Sequence, residues 1–374
     1  MAENKTFTPL PDLPPPASTV GFVGWLRSNL FSSPANTIMT VLAAVFALWL
    51  IPPTLDWTLF SAVYSGGSEA CAANPDAACW PFITKRLPQF FYGFYEETER
   101  WRVDVAAIML AVGLVWLLIE RLPYRQFVGL FMLLVYPLIA WALLYGSVFG
   151  IDFFPIVQTS LWGGFSLTLV IALTGIVISL PLGIVFALGR QSKMPIIRTI
   201  CISFIEFWRG VPLITVLFMA SVMLPLFLPE GVTFDQLLRA LLGVALFSSA
   251  YMAEVVRGGL QAIPKGQTEG AQSLGLGYWL MMRKIILPQA LKTVIPGIVN
   301  TFIGLFKDTT LVLIISLFDL LGVVQAAIAD PNWSVKSVPY TGYVFVALVF
   351  WVCCFGMSQY SRYVERKLHT GHKR

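Results

Sequence analysis

Apolar residues in this chain come in long uninterrupted runs rather than in alternation with polar ones. Eight runs stand near Asn36–Pro52, Asp104–Ile119, Phe127–Tyr145, Leu161–Leu188, Val211–Leu228, Leu237–Val256, Val294–Leu317 and Tyr340–Tyr360. A helix needs ~20 residues to cross a hydrocarbon core. The first two runs are the shortest, so their edges are the ones expected to shift. Lipid offers a backbone amide no partner outside its own element, so all eight runs are predicted to be helices. The alternation that marks a membrane β-barrel is absent. The predicted fold class is therefore all-α, a polytopic helical membrane protein of about eight transmembrane helices.

Composition agrees with lipid as the solvent. Of 374 residues, 57% are hydrophobic and only 12% charged, against roughly 25% charged in soluble domains. Mean hydropathy is +0.75. The net charge of +5 is spread along the chain, with no Lys/Arg run dense enough for nucleic acid. Its distribution sets an orientation. With the N-terminus in the cytoplasm, 18 of the 25 Lys and Arg residues fall in cytoplasmic segments and six outside, and Lys307 lies within a span. Both termini are thus expected inside, with an even number of spans. The start, MAENKTFTPLPDLPPPASTV, has no apolar signal core or small-residue cleavage site. Residues 1–35 are read as a cytoplasmic tail, flexible over 1–30, and 366–374 as a second tail.

This orientation puts residues 53–103 outside. Cys71 and Cys79 stand close together there, in CAANPDAAC. In an oxidising compartment they suggest a disulfide-stapled hairpin, the alternative being two free thiols. Cys201, Cys353 and Cys354 lie in or near spans and read as small apolar packers. His369 and His372 are confined to the C-terminal tail, and no cysteine has metal-ligand spacing with them, so no metal site is expected. Residues 36–150 supply three spans and the outer loop. Residues 155–365 supply five spans and nearly every unusual feature, which divides an accessory region from a working module.

Residues 257–292, between the sixth and seventh spans, hold the most specific pattern. Ala262–Leu274 reads as a short helix with Pro264 in its first turn. Gly275 and Gly277 break it. Tyr278–Ile286 reads as a second amphipathic helix ending at Pro288. Two short helices on a glycine elbow make either a knob for a partner's groove or an interfacial helix on lipid.

Glu269, Ala271, Gly275, Ile285, Leu287 and Pro288 match the EAA loop, in which Glu-Ala-Ala precedes a Gly by four positions and Ile-x-Leu-Pro follows ten residues later. On these residues the chain resembles the permeases of ABC importers. Gly270 departs from the motif, which usually has Ala there. FIEFWRGVPLITVLF, SSAYMAEVVRGGLQAIPKGQTEGAQSLGL and LFKDTTLV resemble the polar amino-acid branch of that family across about 155–365. The additional N-terminal spans resemble the long M-type membrane subunit of general L-amino-acid importers. The resemblance implies a type I importer core of five helices, paired as a heterodimer with a second homologous permease subunit. It also implies that the EAA loop docks on a separate ATP-binding subunit, and that a periplasmic amino-acid-binding protein delivers the substrate. ATP and Mg would be bound by that partner, since this chain has no phosphate loop of the G-x-x-x-x-G-K-[ST] type. No cofactor is expected in this chain.

Charges at membrane depth form the second candidate site. Lys307 and Asp308 interrupt an apolar run, where a charge must face protein or a watery cavity. Asp308 either meets a substrate ammonium on the translocation path or stabilises the helix. Lys307 either lies on that path or answers a carboxylate on a neighbouring helix. Asn300 and Thr301 lie two turns back on nearly the same face, and with Thr309 and Thr310 extend a polar stripe. Short-form members of the resembled family often have Glu where Thr301 stands. Its absence argues against dedicated Arg or Lys selectivity, and for a broad importer or the less selective half of a heterodimer. Glu206 and Arg209 precede a Gly210–Pro212 break and read as an ion pair on an elbow helix along the membrane surface. Glu254 and Arg257 are spaced to pair at i,i+3 and to support the coupling loop. Trp57, Trp141, Trp162 and Tyr340 read as interfacial anchors.

No Ser/His/Asp set and no Cys/His pair in reach appear, which weighs against a membrane-embedded enzyme. A stand-alone secondary transporter is the other alternative. Such proteins usually carry internal repeats, and none is visible here.

Overall fold

The apolar runs fold as helices throughout the computed structural model, which describes residues 21–148, 150–229 and 234–369. The tail segments with Lys5, His372, Lys373 and Arg374 lie outside these residues. Within the stretch read as a flexible tail, Gly21–Asn29 is helical (α1). Helix α2 (Pro34–Leu55) then begins on Ser33, whose hydroxyl accepts the Asn36 amide. It runs past Pro52, where the first span was expected to end. Pro52 and Pro53 withhold two helix donors without ending α2, which passes into a π turn at Asp56–Phe60.

The outer loop carries α3 (Ser68–Ala73) and α4 (Trp80–Tyr92). Helices α5 (Arg100–Leu118), α6 (Arg125–Leu134) and α7 (Tyr136–Tyr145) complete the N-terminal part, α6 and α7 meeting at a bend of 42°. A two-residue hairpin, Ser147–Val148 with Ile151–Asp152, leads to α8 (Gly164–Arg190). Helix α9 (Pro195–Gly210) turns by 101° into the segment opened by α10 (Leu213–Phe218) and continued to Phe227. The turn falls at the Gly210–Pro212 break read from the sequence. Helix α11 (Gln236–Ala262) packs along α8 more extensively than any other pair. Two glycines of α8, Gly175 and Gly183, permit the close approach by making room for Val244 and Met252 of α11. The loop helices α12 (Lys265–Ser273), α13 (Tyr278–Met281) and α14 (Leu287–Thr293) precede α15 (Ile295–Asp308). An outer helix, α16 (Leu320–Ile328), and the long α17 (Val338–His369) close the chain. Among the described residues six helices are long and apolar enough to cross a membrane, and the two bent pairs raise this to as many as eight.

Three apolar clusters hold these elements. The first joins Tyr95, Val103 and Leu144 of the N-terminal part to Trp162, Leu167 and Leu241. Trp162 is therefore a core residue and not an interfacial anchor. It is 3% exposed and packs against Trp141 at 5.6 Å. The second cluster mounts the outer loop on the C-terminal helices, with Phe82 and Phe90 against Leu320, Val323 and Trp333. Here Gly93 sits at φ +67°, and a Cβ on it would stand 2.3 Å from Gly163 Cα. Only glycine allows the loop backbone to cross the start of α8 so closely. The third cluster, around Met252, Val256, Met281 and Ile286, lies under the loop helices.

Candidate functional site

The coupling-loop candidate is built on a helix stop. Helix α12 starts after Pro264 and ends in a Schellman arrangement. The Leu276 amide donates to the Ala271 carbonyl at 3.2 Å, and the Gly275 amide to the Gln272 carbonyl at 2.9 Å. Gly275 takes φ +72° with open space where a Cβ would point. The accompanying apolar contact is present, since buried Ala271 and half-buried Leu276 join one cluster. Glu269 and Gly270 face outward, and no atom lies near a Cβ on Gly270. Helix α12 thus continues through the non-consensus glycine.

The second arm differs from expectation at Pro288. Instead of ending there, α13 widens into a π turn at Met282–Ile286 and runs on as α14. The wide turn shifts the hydrogen-bond ladder, so the missing proline amide opens no gap. Ile285 and Leu287 are half-buried beneath the arm, and Pro288 is exposed. Gln289 ties the arms together, donating to Gln267 Oε1 at 3.2 Å. Leu274 and Trp279 project outward at 78% and 74% exposure, with Tyr278 and Leu280 beside them. These four apolar side chains were not singled out from sequence. The signal was the triplet Tyr-Trp-Leu in a segment bounded by charges.

Behind the loop, Arg190 at the end of α8 reaches Glu206 of α9 at 2.9 Å and Glu254 of α11 at 3.4 Å. Arg257 Nε donates to Glu254 at 2.9 Å, and Arg209 stands 3.9 Å from Glu254. Glu206 and Arg209 therefore do not pair with each other. Arg190 lies between α9 and α11 and takes Glu206, which leaves Arg209 to Glu254 and the Tyr251 ring. The network joins three helix ends directly above the coupling loop.

The polar stripe on α15 is only partly a surface. Asn300 and Lys307 are exposed and Asp308 is half-buried. Thr309 is 1% exposed, with its hydroxyl on the Phe306 carbonyl, so it sits behind the stripe. Thr301 and Thr310 likewise donate to their own helix, at Gly297 and Lys307. Among the described residues no carboxylate lies within salt-bridge distance of Lys307, so the neighbouring-helix partner envisaged for it is not there. The helix changes character at this point. Thr309–Ile315 is 3₁₀, and it ends on Ser316 at φ +60°. A 3₁₀ stretch inside a span often marks a hinge.

Before α4, Cys71 and Cys79 are joined as a disulfide. The Cys79 amide donates to Thr341 Oγ1 of α17 at 2.9 Å. Cys201 is buried and Cys353 and Cys354 half-buried in helices. No group of three or more metal-capable side chains occurs among the described residues.

A family profile described as "Binding-protein-dependent transport system inner membrane component" matches residues 179–370, from inside α8 to the residue after α17. The "Inner membrane amino-acid ABC transporter permease protein YhdY" of Escherichia coli (strain K12) is 53% identical, over 93% of this chain and 93% of that one. The "Glutamate/glutamine/aspartate/asparagine transport system permease protein BztC" of Rhodobacter capsulatus is 41% identical over 96% of each. A crystal structure of an amino acid ABC transporter with histidines is 29% identical, covering 55% of this chain and 92% of that one at TM-score 0.48.

Proposed function

This chain belongs to the binding-protein-dependent transport system inner membrane components, and on that premise we propose that it is the permease subunit of an ATP-driven amino-acid importer whose exposed two-helix loop couples the pore to a separate ATPase. The observation that carries the coupling role is the knob itself. Ala271 and Ile286 anchor it from below while Leu274 and Trp279 stand in the open, the layout of a rigid element waiting for a groove. Glu269, Gly270, Ala271, Gly275, Ile285, Leu287 and Pro288 form that element. ATP and Mg are held by the docked subunit, and a periplasmic binding protein supplies the amino acid. Both termini face the cytoplasm, with the loop and the Arg190 network on the same side.

The substrate path runs past Asn300, Thr301, Lys307 and Asp308 of α15. A lone cation and a half-buried carboxylate next to a 3₁₀ hinge suit a zwitterion, whose two charges each find one partner. The names of the relatives speak for amino acids, and a neutral Thr301 speaks for broad selectivity. Residues 36–150 are the accessory region and 155–365 the working module.

Gly275→Asp tests the coupling role. Affinity purification of the wild type should retain an ATPase and a second permease. The variant should keep the permease and lose the ATPase, because a Cβ at φ +72° strains the elbow and a charge spoils the apolar knob. Wild type without an ATPase would overturn the proposal.

A further inference from the structure

The cleft between the N-terminal helices and the core takes no part in the transport reading. Helices α5 and α7 meet the core at their outer end, where Val103 and Leu144 pack near Trp162. Further in, a space of about 530 Å³ separates them from α8. Leu110 and Leu114 line one wall, Met132 and Tyr136 a second, Leu173 and Val177 the third. The α8 wall from Ser166 to Ile178 extends about 18 Å at 1.5 Å per residue, a little over half of a hydrocarbon core of ~30 Å. That is the depth one leaflet's acyl chain occupies.

Chemistry excludes water as the filling. The Tyr136 hydroxyl donates to the Ala106 carbonyl at 3.1 Å, and the Ser166 hydroxyl to the Gly163 carbonyl at 2.9 Å. Thr174 is the one other hydroxyl in the lining. A buried water needs two to four polar partners, and the cleft does not offer them. At one mouth, beside the lining residues Leu117 and Gly129, the α5–α6 turn carries Arg121 and α6 opens on Arg125. Arg121 is exposed. Arg125 donates to the Leu117 carbonyl at 2.5 Å, while its Nε is buried without a partner. The nearby Glu120 is neutralised by Lys367. The mouth is therefore cationic.

We propose that this cleft is a resident-lipid site, holding an acyl chain of an anionic phospholipid whose head group rests on Arg121 and Arg125. Basic pockets between spans are suited to such head groups. The lipid fills the seam that protein side chains leave open, and so mounts the accessory helices on the core.

The test uses the full chain with its partners, reconstituted in vesicles of equal phosphatidylglycerol and phosphatidylethanolamine. After detergent extraction and purification, bound lipid is quantified by mass spectrometry. Wild type should retain phospholipid enriched in phosphatidylglycerol over the vesicle ratio. Ala140→Trp, which fills the cleft from α7, should lose it. Should that variant fail to accumulate, Ala107→Phe fills the cleft from α5. Arg121→Gln with Arg125→Gln should return the retained lipid to the vesicle ratio. Retention unchanged in the filled variant, no retained lipid in wild type, or a cross-link from Leu114→Cys to a second permease subunit would each overturn the site.

Discussion

The outer loop expected at 53–103 and the coupling-loop candidate at 257–292 are connections with opposite finishes. The outer one is closed on its own chain. Phe82 and Phe90 are 0% and 1% exposed, a disulfide staples the hairpin, and Arg86 meets Asp330 across the fold. The coupling-loop candidate is anchored by Ala271 and Ile286 but leaves Leu274 and Trp279 uncovered. Apolar surface already buried contributes to stability at roughly 25 cal/mol per Å². The same surface left in water awaits a partner. Aromatic residues in the two loops should thus fail in different assays.

The largest stability effect is expected at Phe82. Its ring packs edge-on against Phe90 at 5.7 Å and Trp333 at 5.5 Å. Phe82→Ala should destabilise the purified protein by about 3–5 kcal/mol through the cavity left behind, seen as a lower thermal midpoint in detergent. An unchanged midpoint would mean that the outer loop is not mounted on α16 and α17. Much of that loop's apolar surface is already used within the chain.

Next in size is the staple. Cys71 and Cys79 lie eight residues apart, and a short closed loop restricts the unfolded chain by about 2–3 kcal/mol. Cys71→Ser should lower the midpoint by that amount and make it insensitive to reductant, whereas wild type should respond. Equal midpoints with and without reductant in wild type would remove the staple from the account.

Much of this was legible in the chain, and the misses share a cause. Hydropathy alone located the spans, and the Glu269–Pro288 spacing located the loop, because both signals are local. What escaped needed distant neighbours. Phe82 meets Trp333, and Cys79 meets Thr341, across some 250 residues. Arg190 displaced the expected Glu206–Arg209 pair for the same reason: its position between α9 and α11 is a fact of packing, not of spacing. Pro288 misled for another reason. A proline reads as a helix end unless the preceding turn is wide, and nothing in Met282–Ile286 announces a π turn.

A third and smaller effect tests the seam between outer loop, α8 and α16. Asp319 caps α16 through the Gly322 amide at 2.9 Å, is fully buried, and has an unpartnered Oδ2. Burial pushes its carboxyl up to about 6, against the lowering influence of the Gly322 and Leu321 amides. Between its unfolded value of ~3.9 and about 6, the folded protein holds a proton that the unfolded chain has released. Stability from this group is therefore full below pH ~4 and lost as pH rises to about 6, after which it stays flat. Asp319→Asn keeps a capping oxygen and removes the titration. It should raise stability above pH 6 on the order of 1–2 kcal/mol and flatten the slope below it. The same slope in both proteins would assign the pH dependence elsewhere.

The smallest stability change is expected where the sequence is most distinctive. Trp279 is 74% exposed, with only the Tyr278 ring edge-on at 5.2 Å. Trp279→Ala removes little buried surface and leaves no cavity, so the thermal midpoint of the isolated chain should move by no more than the ~0.5 kcal/mol of an ordinary surface change. Interfaces concentrate their energy in exposed aromatic anchors of this kind, at 2 kcal/mol or more apiece. Retention of the ATPase in the purified complex should therefore fall by roughly thirtyfold or more in affinity. The pairing of these two readouts is the sharpest form of the comparison. Phe82→Ala should lower the midpoint and leave ATPase affinity intact in the folded fraction, while Trp279→Ala should do the reverse. A Trp279→Ala protein that unfolds early would show that the knob is held by its own chain after all, and the distinction between a closed outer loop and an open inner one would fall with it.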